Sequence, residues 1–140
     1  MSKLQDIAEL LVASWVLSQE GEEVEPLPTS HSLLDRALDE ALKKGAFPKS
    51  WQQRLHFVDS RIGLQCVELQ AVIEVAQQAE FTSEPNPSYK ATHIKVGPRT
   101  ARALLRRHSI PIDTAKRWGA VLHGAVGTAK ATLEQYPDAP

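Results

Sequence analysis

The chain has 140 residues, 42% of them hydrophobic and 24% charged, with a net charge of −1. This is the make-up of an ordinary globular protein, and the length suits one domain, expected to span 1–140 without a covalent staple. The lone cysteine, Cys66, excludes an intrachain disulfide, and no apolar run approaches the ~18 residues of a membrane span, so a cytoplasmic protein without membrane contact is expected.

The first helix is predicted over residues 3–19. Leu4, Ile7, Leu11 and Trp15 recur at helical spacing, Leu10 and Leu17 widen the apolar face, and Ser2 with Gln5 has the spacing of a capping box. Asp6 and Glu9 stand where a signal peptide would carry bases, so none is expected. Residues 20–30, rich in acids and carrying Pro26 and Pro28, read as a surface linker. A second helix follows, with Ser32 and Asp35 as its capping box and Leu34, Ala37, Leu38, Ala41 and Leu42 as one stripe. Lys43 and Lys44 suit its negative end, and Gly45 suits a left-handed stop.

Pro48 should open a short helical turn carrying Trp51. Between Leu55 and Ile62 two readings stand: a helical spacing through Trp51, Leu55, Val58 and Ile62, or a short strand over 55–58. A third helix is predicted over 63–80, apolar around more than half its circumference and therefore central to the domain. After a loop with Pro85 and Pro87, residues 89–96 are the best strand candidate, with Thr92, Ile94 and Val96 on one side. Pro98 starts a fourth helix that ends near His108. The last helix should be capped by Asp113 and bury Ala115, Trp118, Leu122, Ala125, Val126, Ala129 and Leu133. Gly119, Gly124 and Gly127 each weaken it by up to ~1 kcal/mol relative to alanine. They either admit a close neighbour or interrupt the helix, and a bend is expected. The expected fold is mainly α: five helices around residues 64–79, with at most one or two short strands.

Chemistry-bearing motifs are scarce. The sequence has no Gly-rich phosphate loop, nucleophile elbow or paired cysteines at metal spacing, and no two of its five histidines stand four apart. His56 and Asp59 read as an exposed polar pair, and Cys66 as a buried, inert thiol. Neither catalysis, metal nor cofactor is expected.

Charge is distributed unevenly. Residues 1–45 carry nine acids and four bases, whereas residues 95–140 carry eight bases and three acids. Seven of those bases (Lys95, Arg99, Arg102, Arg106, Arg107, Lys116, Arg117) fall between 95 and 117, against the single acid Asp113. Arg99, Arg102 and Arg106 line one helical face, and arginine's planar donor fork matches phosphate oxygens. The string Asp113-Thr114-Ala115-Lys116-Arg117-Trp118 resembles the start of a helix-turn-helix recognition helix, which places a helix-turn-helix-like segment at 95–123. The usual turn glycine is absent, and Pro111 lengthens the turn. The expected function is a small nucleic-acid-binding or regulatory protein. Arg99, Arg102, Arg106 and Arg107 would hold DNA or RNA phosphates, and Thr114, Lys116 and Arg117 would approach bases or backbone. The alternative is a helical adaptor or assembly subunit whose protein partner meets the acidic N-terminal half or the small residues Ala120, Gly124 and Ala131. A homodimer is a further expected partner form.

Overall fold

The computed structural model describes residues 3–29, 32–61, 63–83 and 91–135. Among the described residues, six helices and four short strands follow in the order α1 (Leu4–Ser18), β1 (Leu27–Pro28), α2 (Leu33–Lys43), α3 (Trp51–Arg54), β2 (Phe57–Ser60), β3 (Gly63–Cys66), α4 (Leu69–Gln78), β4 (Ala91–Thr92), α5 (Pro98–Arg107) and α6 (Ile112–Gln135). The fold is mainly helical, with one more helix than expected because α3 is a separate single turn.

The central helix is α1, not the segment 64–79. Every residue from Ile7 to Leu17 is buried, and α4, α5 and α6 all pack against it. Its small residues Ala8, Ala13 and Ser14 let neighbours approach on several sides. One such close approach is at Gly119 of α6, where a Cβ would stand 2.0 Å from the Ser14 carbonyl oxygen. Glycine there is a steric necessity. α6 runs unbroken through all three of its glycines. It seats Ala115, Trp118, Leu122, Ala125, Val126 and Ala129 in the core, as its spacing requires, while Leu133 is half-buried. Phe47 stacks on Trp51 at 4.5 Å and meets Trp118 at 5.6 Å, tying α3 to α6.

The predicted third helix divides. Residues 63–66 form β3, paired antiparallel with β2 in a register that sets Phe57 opposite Cys66 and Ser60 opposite Gly63. Only Leu69–Gln78 is helical, and it buries one face: Leu69, Val72, Ile73 and Ala76. The apolar surplus that suggested an enclosed helix belongs to two elements, an alternating strand and a one-sided helix. Of the predicted strand at 89–96, residues 89 and 90 lie outside the described residues. Ala91–Thr92 pairs with Leu27–Pro28, and Ile94 is bridged to Thr82.

Helix ends are set locally. Gly45 (φ +84) takes the left-handed position after α2; its N–H bonds the Leu42 carbonyl and that of Ala46 bonds Ala41. Both predicted capping boxes are replaced. At α1, the Lys3 N–H donates to the Asp6 carboxylate at 3.1 Å, and Ser2 lies outside the described residues. At α2, Ser32 makes no side-chain cap bond, and Asp35 turns away to accept the Cys66 N–H at 2.8 Å. Of the expected linker at 20–30, residue 30 lies outside the described residues, and within 20–29 the exposed residues fall between 20 and 25. The Trp15 indole donates to the Glu25 carbonyl, the Gln19 amide oxygen accepts the Glu25 N–H, and Leu27 and Pro28 are buried.

Candidate functional site

The basic segment is built on two helices whose apolar faces are committed inward. Burial of Ala101, Leu104 and Leu105 against α1 turns Arg99 and Arg106 outward and leaves Arg102 half-buried. α5 ends on Ser109 in the left-handed conformation (φ +55), with Ser109 N–H bonded to Arg106 O and Ile110 N–H to Leu105 O. This is a Schellman stop in which serine stands where glycine is usual. On α6, Arg117 is exposed, and Thr114 and Lys116 are half-buried. α5 and α6 make little contact with each other, each being seated on α1. The two helices of a helix-turn-helix brace one another, so the structure does not show that motif at 95–123.

Carboxylates of the N-terminal half reach into this segment. Glu20 takes Arg102 as an ion-pair partner, and Lys116 stands 3.5 Å from its other oxygen. These contacts, Arg102 foremost, hold the Glu20 carboxyl below the usual carboxylate range. Glu9 is only 1% exposed, and accepts from His108 Nε2 at 2.7 Å on one oxygen and from Arg107 Nη1 and Gln5 Nε2, both at 3.1 Å, on the other. A buried carboxylate is tolerable only with such partners. Among the described residues, Arg99, Arg106 and Arg117 have no carboxylate partner. The seven-residue site expected from sequence thus separates into three exposed arginines, three cations already paired, and Thr114.

Asp6, Glu9 and His108 bring one ligand atom each within 4.8 Å of one another, the spacing of a cation site. Arg107, Gln5 and His108 already occupy both Glu9 oxygens, so an arriving metal would have to displace a guanidinium and an imidazole. The cluster is a satisfied ion pair.

A second site lies on the opposite part of the sequence. Thr29, Leu34 and Asp35, then Gln65, Cys66 and Val67, then Leu69, Gln70, Ile73, Glu74 and Gln77 line a cleft of about 520 Å³ between α2, β3 and α4. Leu34, Cys66, Leu69 and Ile73 give it an apolar floor; carboxylates and amides form its sides. Burial pushes the Asp35 carboxyl above its ordinary value, against the Cys66 N–H that it accepts. Burial also pushes the Cys66 thiol up to about 11, so it stays protonated at neutral pH. Nearby, Glu68 accepts the His56 N–H at 2.7 Å and its ring Nδ1 at 2.6 Å. Burial would raise the Glu68 carboxyl, but the His56 contacts hold it below the carboxylate range. The thiol also reaches Glu68, at 3.9 Å, so thiol and imidazole share a carboxylate and do not touch each other. A cysteine nucleophile needs the imidazole at the sulfur.

The charge asymmetry allows the arginines to pair with the acidic N-terminal region, but sequence reasoning did not single out Glu9 and Glu20 there, and missed Asp35 and Glu74 as cleft residues. Glu9 had one signal: it sits inside an apolar run, between Ala8 and Leu10. The small residues Ala120, Gly124 and Ala131, expected to meet a partner, are exposed on α6. Among the described residues, no helix is long and apolar enough to cross a membrane. Compared with known protein families, characterised proteins and solved structures, the chain finds no match.

Proposed function

We propose that the chain is a non-catalytic helical adaptor that binds a protein partner through the cleft between α2, β3 and α4. The observation that carries this reading is the cleft itself: an apolar floor open to solvent, with Val67 on its lip 61% exposed. Exposed apolar surface rimmed by polar groups marks interaction sites, and a cleft of this size lies in the range of binding pockets. The adaptor reading is also favoured by the pairing of Arg102, Arg107 and Lys116 with Glu9 and Glu20, which spends basic charge inside the molecule. Photo-cross-linking from position 67, with position 99 as the comparison, tests it. A protein adduct from 67 that disappears with Ile73→Glu supports the adaptor. Adducts to nucleic acid from 99 alone overturn it.

A small nucleic-acid-binding or regulatory protein is the second reading, favoured by the exposed Arg99, Arg106 and Arg117, which have no carboxylate partner among the described residues. On that reading, duplex affinity falls with salt at a log–log slope of about −0.9 per phosphate contact, so about −3 for three arginines. Reversing Arg99 and Arg106 to glutamate abolishes it. Absence of any duplex binding at about 50 mM salt removes the reading.

A further inference from the structure

Resting on the adaptor reading, we infer that the cleft receives a basic amphipathic helix of the partner, with leucine-like side chains against the floor and lysine or arginine against the rim. The geometry is that of a helix laid beside α4. Gln70, Ile73, Glu74 and Gln77 recur at i, i+3, i+4 and i+7, so they form one face of α4 along ~10 Å of helix. Asp35 of α2, beside the floor residue Leu34, lines the cleft from the other helix. Two helical walls over an apolar floor are the setting in which an amphipathic helix docks by its apolar stripe.

Charge selects the occupant. Apart from Cys66, the ionisable groups lining the cleft are the carboxylates Asp35 and Glu74; among the described residues no lysine, arginine or histidine lines it. Glu9, Glu20, Glu25, Asp39, Glu40 and Glu68 all have cationic or histidine partners within the chain. Asp35 and Glu74 have none among the described residues. Among the described residues, Glu74 is reached by the Gln70 amide at 3.4 Å, and Asp35 by the Cys66 N–H and its own backbone N–H. Two carboxylates facing apolar surface without a counterion favour an arriving cation and repel an acidic segment. Burial already disfavours ionised Asp35, so a cation beside it relieves a cost present in the free protein.

The apolar surface extends past the cleft. Val58 stands opposite Gln65 in the hairpin, which puts the two on one sheet face, and Val67 follows Gln65 by two residues on that same face. Val58 is 47% exposed, and this face, opposite the one that carries Cys66, runs outward from the lining residues Gln65 and Val67. An occupant longer than the cleft would therefore keep apolar contact over the β2–β3 hairpin.

The test uses the full chain, labelled with ¹⁵N, and three probes. One is a helix-forming peptide with leucine on one face and lysine on the other; the second carries glutamate in place of lysine; the third is a short DNA duplex. The lysine peptide is expected to shift the amides of residues 65–77 and 34–35, with affinity weakened by salt. The glutamate peptide should leave them unmoved. Glu74→Gln, on an exposed side chain, and Asp35→Asn, which keeps an oxygen for the Cys66 N–H, should together weaken the lysine peptide by about tenfold. Equal binding by the glutamate peptide, or an unchanged affinity in the double variant, overturns the charge-selected occupant and leaves the adaptor reading standing. Shifts from the duplex alone, centred on α5, overturn both.

Discussion

Glu9 shows how one buried charge organises its surroundings. Its oxygens are shared among an imidazole, a guanidinium and an amide, but these partners are not equivalent. The His108 side chain is 18% exposed, whereas that of Arg107 is 62% exposed. Water can replace the guanidinium far more readily than the imidazole. His108→Leu is therefore expected to cost about 1–3 kcal/mol, the price of a buried acceptor left without its donor. Arg107→Gln should cost under about 1 kcal/mol. Urea denaturation of the two variants measures both; equal losses would mean that the ring is no more important than the exposed arginine. Asp35 gives a prediction with the opposite dependence on charge. Its folded-state carboxyl titrates above the unfolded value, so ionising it destabilises the fold. That cost is absent below the unfolded value near about 4, grows as pH rises through the raised folded value, and is complete above it. Asp35→Asn should hence melt higher than the parent at pH 7, with the difference vanishing at low pH. A melting temperature that falls at neutral pH would show that the carboxylate is needed for more than its acceptor oxygen.

Among the elements, α1 and α6 form the contact on which the rest is assembled, and Gly119 sets its distance. Gly119→Ala places a methyl within 2.0 Å of backbone that belongs to a buried helix and cannot move freely. The expected loss is at least ~3 kcal/mol, the upper end of overpacking costs. Gly124 is the control, because nothing lies within 4 Å of a Cβ added there. Gly124→Ala should stabilise α6 by up to ~1 kcal/mol through helix propensity alone. Thermal unfolding of both variants decides the matter; comparable effects would mean that the helices separate at little cost. These two glycines also mark where sequence is legible. Each weakens a helix identically in isolation, and which of them faces a neighbour depends on a helix about a hundred residues earlier in the chain. The termini of α1, α2 and α5 were readable because spacing, proline at a first position and a left-handed stop act within a few residues, whereas α6 starts at Ile112 and takes the expected cap, Asp113, into its first turn. The β2–β3 hairpin was not. Leu64 and Cys66 alternate as a strand requires, but Val67, Leu69, Val72, Ile73 and Ala76 continue the run at spacings a single long helix also accommodates.

The molecule as a whole is held across its charge asymmetry. Glu9 and Glu20 meet α5 and α6 over sequence separations of 82 to 99 residues, and the net charge of −1 conceals this pairing. Acid should loosen it. The Glu20 and Glu68 carboxyls titrate below their unfolded value, so their contribution is present above that value and is lost as pH falls through the folded one. The double variant Glu20→Gln, Glu68→Gln should show a flatter loss of stability below about pH 4 than the parent, measured by denaturation at a series of pH values. Parallel curves would mean that neither carboxylate stabilises the fold through its charge.

By itself the sequence determined the helical class, most helix boundaries, the inward faces of α5 and α6 and the basic outer face of α5, since these follow from periodicity and end signals within a few turns. Tertiary structure decided which helix is enclosed, where the apolar run turns into a hairpin, which glycine is indispensable and how much of the basic face remains unpaired. Each of those depends on groups far apart in the chain meeting at a few ångströms, and a local pattern carries no record of its distant partner.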